Sequence, residues 1–142
     1  IMKPETLYVL LSHYAKNDPI DRVGKLIKFG DLPGGYAYEA AFSRRAVHPV
    51  AEMFGFEPKK LVEAAEPLNG IEVKYGDLSV EIPALPKVPL IYVLWKSNEF
   101  PASSNILLDV SASHYLPTED IAALGEITTA RLKSSLEQLQ PS

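Results

Sequence analysis

Arg44, Arg45 and His48 are the residues of this chain best placed to do chemistry. Their three- and four-residue intervals let His48 share a helical face with an arginine. A guanidinium can grip a carboxylate or phosphate through two parallel hydrogen bonds, and an imidazole beside it can ligate a cofactor or move a proton. The plainer reading is that the arginines complement a helix C-terminus and His48 merely precedes a break at Pro49. His114, in His114-Tyr115, is the second ionisable spot. A serine–histidine–aspartate set can be drawn from Ser111 or Ser113, His114 and Asp109, but no nucleophile-elbow pattern supports it. His13, His48 and His114 are the only histidines. With no paired-ligand motif such as His-Glu-x-x-His, no metal site is expected.

Three weaker signals stand beside these. Gly30-Asp31-Leu32-Pro33-Gly34-Gly35 reads as a tight turn. It lacks the Gly-Lys-Ser/Thr of a phosphate loop, so anion binding there is the lesser reading. Glu72 and Glu81 are expected opposite one another across a hairpin, with Lys74 diagonal to Glu81; a solvated outer face is the simple explanation. Tyr92 and Trp95 sit in an apolar run, either as core or as the aromatic lining of a flat ligand's pocket.

The elements that must position these residues follow from periodicity and punctuation. Pro4 with Glu5, then Leu7, Leu10, Leu11 and Tyr14, predict an amphipathic helix over 4–16. A short strand is expected over 23–29. A helix is favoured from Tyr36 to Val47, with a kink at His48 and a new helix from Pro49 to Phe54 ending at Gly55. Pro58 opens another, to about Glu66. Ile71–Tyr75 and Leu78–Ile82 both alternate strictly around Gly76-Asp77, which predicts a two-residue hairpin pairing Tyr75 with Leu78, Val73 with Val80 and Ile71 with Ile82. Val88–Trp95 is almost continuously apolar, as a strand covered on both faces would be. Ile106–Val110 fits a strand or a helical turn. Pro117, Thr118, Glu119 and Asp120 start a long helix, with Thr118 as its expected N-cap. The twelve prolines fall mostly at boundaries. The fold class is α+β: an antiparallel sheet of about four strands packed by several helices, with a long C-terminal helix.

Composition removes whole classes of function. The chain has 142 residues and no cysteine, which excludes disulfides, thiolate metal sites and an iron–sulfur cluster in this chain. One globular domain over 1–142 is the expectation for this length. A formal net charge of −4 argues against a nucleic-acid surface. No apolar run approaches the roughly 20 residues of a membrane span and nothing resembles a signal peptide, so a cytoplasmic domain is expected. Ile1 is not an initiator residue, which leaves room for the chain to be a segment of a longer protein.

Several phrases taken together carry a family resemblance. They are Phe29 to Gly35; Phe42 to Phe54 with its Arg-Arg-x-x-His-Pro centre; Ala84-Leu85-Pro86-Lys87-Val88-Pro89-Leu90 leading to Leu94-Trp95; Glu99-Phe100-Pro101-Ala102; Ile106-Leu107-Leu108-Asp109; and His114 to Asp120. Their order resembles an uncharacterised family of anaerobic bacteria and archaea, domain of unknown function 3786. Where that family tends to carry an acidic stretch after the tryptophan, this chain reads Lys96-Ser97-Asn98-Glu99 and keeps only Glu99. The resemblance implies an association with tetrapyrrole and one-carbon chemistry in anaerobes, and with cysteine-rich iron–sulfur segments that this chain lacks. It supplies no catalytic residues.

On that footing, the leading expectation is a small binding module for a cofactor or ligand, with a corrinoid or haem as candidates. The candidate binding residues are His48 or His114 as axial ligand, Arg44 and Arg45 for peripheral carboxylates, and Tyr92 and Trp95 lining the pocket. An enzyme acting on an anionic small molecule through Arg44, Arg45 and His48 is the first alternative. A non-catalytic domain that partners an iron–sulfur or corrinoid protein is the second. The first two require a concave pocket where these residues meet, and the third an exposed apolar patch.

Overall fold

The computed structural model describes residues 4–96 and 101–139; Ser97, Asn98, Glu99 and Phe100 of the phrases above lie outside the described residues. In chain order the elements are α1 (Pro4–Ala15), β1 (Leu26–Lys28), α2 (Glu39–Phe42), α3 (His48–Phe54), α4 (Lys59–Ala65), β2 (Ile71–Val73), β3 (Leu78–Leu85), β4 (Val88–Trp95), β5 (Ser103–Asp109), α5 (Ala112–Tyr115) and α6 (Thr118–Leu139). Short 3₁₀ turns fill Phe29–Asp31, Gly35–Ala37 and Glu66–Leu68. The fold is α+β, as expected, with five strands rather than about four. The sheet is antiparallel in the order β1-β5-β4-β3-β2.

One face of the sheet makes the core. Val80 and Ile82 of β3, Leu90, Tyr92 and Leu94 of β4, and Ile106 and Leu108 of β5 are all buried and share a cluster with α3, α4 and α6. Pro83, which cannot donate to a ladder, sits at the register shift between Ile82 and Leu85. The β4 run is buried through Leu94, so the sequence reading of a doubly covered strand holds. On the second face, Ile91 pairs with Glu81 and Leu107, and a strap formed by residues 18–25 crosses above them. The Arg22 guanidinium donates to both carboxylate oxygens of Glu81 at 3.0 Å. The backbone N–H groups of Val23 and Gly24 donate to Asp109, and Tyr115 Oη both donates to and accepts from the backbone of Ile20.

The β2–β3 hairpin forms in a different register from the expected one. Ile71 pairs with Glu81, Glu72 with Val80, and Val73 with Ser79. The cause is the turn. Ser79 Oγ donates to Val73 O and accepts from Tyr75 N–H, which closes residues 74–77 as a four-residue loop. Gly76 takes a positive φ of 57°, and Asp77 N–H turns away to Leu94 O. A one-residue slip moves every β2 side chain to the other face. Ile71 and Val73 therefore lie on the strap side, and Glu72 and Glu81 do not face one another. Glu81 is neutralised by Arg22, not by Lys74.

A second correction concerns His48. The residue before a proline was expected to leave the α region, yet His48 is helical at φ −57°, ψ −37°. The helix instead widens one turn earlier: Ser43–Val47 is π-helical, and His48 N–H bonds back five residues to Ser43 O. Pro49, lacking an N–H, is tolerated because the preceding turn is re-bonded. Thr118 also differs from expectation. Its hydroxyl donates to Pro33 O at 2.7 Å and ties α6 to the 30–35 turn instead of capping the helix.

Candidate functional site

The π-helical turn is the local feature that sets the site. Widening exposes carbonyls to hydrogen bonding from outside the helix, and two hydroxyls take them: Thr129 Oγ1 of α6 donates to Ala46 O at 2.8 Å, and Ser104 Oγ of β5 donates to Val47 O at 2.6 Å. These bonds fix the start of α3 against β5 on one side and α6 on the other. His48, the first residue of α3, is thereby held exposed at the strand's side.

A cleft of about 790 Å³ opens there, lined by His48 and Glu52 one turn apart on α3, by Phe56 beyond it, by Lys96 after β4, and by Ser103 and Ser104 at the start of β5. Its size is that of a small-molecule site. The floor is made close by a glycine: a Cβ at Gly55 would lie 2.8 Å from Ala102 Cβ and 2.5 Å from Ala51 O. A smaller cavity of about 140 Å³ adjoins it on the far side of His48 and Ser104, reaching Lys28, Glu39 and Asn105. The cleft thus offers an imidazole, a carboxylate, an ammonium and two hydroxyls beside the apolar surface of Phe56, Ala51 and Ala102. That mixture suits binding and orientation.

The sequence-chosen residues do not converge on it. Of the six, His48 alone lines the cleft. Arg44 and Arg45 are exposed on the π-helical turn and line neither cavity. Tyr92 is sealed in the core, where its hydroxyl bonds Thr129 Oγ1 at 2.9 Å; burial pushes the phenol's pKa up. Trp95 is 39% exposed at the end of β4, with its indole nitrogen beside Gly76 rather than in the cleft.

His114 belongs to a separate groove of about 370 Å³, together with His13, Lys16, Asn17 and Ser113. Its Nε2 lies 2.7 Å from Asp18 O and its ring stands edge-on to Tyr115. His13 Nδ1 meets Asp120 Oδ2 at 2.5 Å, clasping α1 to the start of α6. Among the described residues no group of three histidine or carboxylate side chains could hold a metal ion.

The Asp109 carboxylate is taken up by Val23, Gly24 and Ser111. Burial opposes its charge, but donation from Ser111 and from the backbone of Val23, Ser111 and Gly24 outweighs that and lowers its pKa to about 2. It anchors the strap. Lys96, Glu52, Phe56, Ser103 and Ser104 were missed by the sequence reading because no local pattern joins residue 52 to residue 104. The one available signal was the adjacency of His48 to a helix-breaking proline, a place where a widened turn can form.

Comparison with known proteins gives a family and nothing closer. The family described as Domain of unknown function (DUF3786) matches residues 2–131. No curated protein matches, and no solved structure does. No described helix is long and apolar enough to cross a membrane.

Proposed function

From a chain that belongs to the domain of unknown function 3786 family, we propose a binding module, non-catalytic by itself, whose site is the cleft between α3 and the start of β5. The observation that carries this is the convergence of His48, Lys96, Ser103 and Ser104 on one cleft of about 790 Å³. The first form of the reading is a tetrapyrrole, haem or corrinoid, of the kind the family association with anaerobic metabolism suggests. His48 would hold it through its imidazole, which would supply a nitrogen ligand, and Lys96 would meet a peripheral carboxylate. An enzyme acting on an anion through Arg44, Arg45 and His48 has less support, since of the three only His48 lines the cleft. The second form, a segment of a partner protein in the same cleft, is favoured by Phe56, which is 99% exposed beside it.

The test of the first form is a titration of the purified chain with haem and with aquocobalamin, followed by absorbance. A spectral shift is expected that His48→Ala abolishes, while His114→Ala and the double variant Arg44→Ala/Arg45→Ala retain it. No shift with either cofactor overturns the tetrapyrrole form. Loss in His114→Ala but not in His48→Ala overturns the cleft assignment.

A further inference from the structure

The smaller cavity of about 140 Å³, on the far side of His48 and Ser104, differs in character from the cleft it adjoins. Its volume is well below that of a drug-sized site and suits a single head group. Its floor is apolar and fixed: Phe29 and Phe42 stack at 4.2 Å, and both are buried, as is Val47. Its rim carries one charge of each sign, Lys28 and Glu39. Unlike charges so placed attract, yet among the described residues neither side chain forms an ion pair. Each is held from its own side. Lys28 ends β1 opposite Leu107, and its backbone N–H donates to Asp31 Oδ2 at 3.1 Å. Glu39 opens α2, and its carboxylate lies against the bare Cα of Gly30, where a Cβ would stand 2.8 Å from Glu39 Cδ. Asn105 adds donors: its Oδ1 accepts Ile106 N–H at 2.9 Å, so its amide NH₂ is what it still offers.

We propose that this cavity holds the zwitterionic head of a free α-amino acid, its ammonium against Glu39 and its carboxylate toward Lys28 and the Asn105 amide. The head pocket stands apart from the site proposed above; only the path of the side chain rests on the cleft being a binding site. A head that carries both charges on one carbon satisfies both unpaired groups at once, through charge-assisted hydrogen bonds. A carboxylate alone would face Glu39, and an ammonium alone would face Lys28, each set like against like. His48 and Ser104 line both hollows and mark the way between them. Beyond them lies the apolar surface of Phe56, Ala51 and Ala102, which favours an apolar side chain on the amino acid.

The test is calorimetric titration of the intact chain with L-phenylalanine, with hydrocinnamate, which lacks the ammonium, and with phenethylamine, which lacks the carboxylate. L-Phenylalanine is expected to bind at least about tenfold more tightly than either analogue. Glu39→Gln is expected to lower its affinity to that of hydrocinnamate without weakening hydrocinnamate itself. Lys28→Gln is expected to lower it to that of phenethylamine without weakening phenethylamine. Gly30→Ala, whose Cβ displaces the Glu39 carboxylate, is expected to act as Glu39→Gln does, with circular dichroism showing that each variant is folded. No binding of L-phenylalanine, an analogue that binds as tightly, or affinity indifferent to Glu39→Gln or to Lys28→Gln overturns the proposal. The haem and aquocobalamin titrations separate the two readings. A spectral shift without L-phenylalanine binding removes the head pocket and keeps the cleft, whereas L-phenylalanine binding without a shift keeps the pocket and removes the tetrapyrrole form.

Discussion

Replacing Asp109 by asparagine tests whether the strap over the second sheet face is held electrostatically. The carboxylate accepts Val23 N–H and Ser111 N–H on one oxygen, at 3.0 Å each, and Gly24 N–H on the other at 2.8 Å. An asparagine can keep an acceptor on one side only; its amide group on the other would face N–H donors. Losing charge-assisted bonds to Val23 and Gly24 and weakening the buried one from Ser111 should cost about 1–3 kcal/mol at neutral pH. Part of that cost is visible as pH dependence. The folded carboxyl's pKa is depressed from 3.8 to about 2, so its contribution is fully present above about pH 4 and is lost as pH falls toward about 2. A depression of that size corresponds to about 2 kcal/mol. Urea unfolding of both proteins, followed by circular dichroism across that range, measures it. Asp109→Asn should be less stable at pH 7, and the gap should narrow as the wild type is acidified. A gap below about 0.5 kcal/mol, or one that does not shrink on acidification, refutes the account of Asp109 as the strap's anchor.

Two further outcomes follow from the core. Gly125→Ala should lower stability by about 1–2 kcal/mol in thermal unfolding despite alanine's better helix propensity: the new Cβ would stand 2.6 Å from Phe42 Cε1, and Phe42 is itself stacked on Phe29 at 4.2 Å and cannot easily retreat. Thr129→Val should cost more in urea unfolding than Tyr92→Phe, about 2 against about 1 kcal/mol. The threonine serves both Ala46 O and the Tyr92 hydroxyl, so its loss strips two buried groups of a partner, while Tyr92→Phe removes one donor.

The local rules of the chain decided a good deal. Helical spacing from Pro4 and from Thr118 gave α1 and α6 nearly to their ends, because an apolar stripe every three to four residues has one way to be buried. The unbroken apolar run gave β4 with its bounds, and the absence of cysteine removed a body of metal and redox chemistry. The DUF3786 family was also legible in the scattered phrases. Other features depended on partners remote in sequence. The hairpin register turned on the Ser79 hydroxyl and on Asp77 reaching β4, so alternation alone, which favours apolar opposite apolar, chose a register one residue away from the observed one. The π-helical turn before Pro49 is held by Thr129 and Ser104, from two other elements, whose hydroxyls donate to its Ala46 and Val47 carbonyls. The site followed the same logic: His48 was visible as a residue type, but its neighbours Lys96, Ser103 and Ser104 come from the far end of the sheet. Arg44 and Arg45, adjacent in the chain, lie exposed on the widened turn and line neither cavity. Sequence spacing governs which side chains share a face of one element, whereas a cleft is a relation between elements, and only their packing sets it.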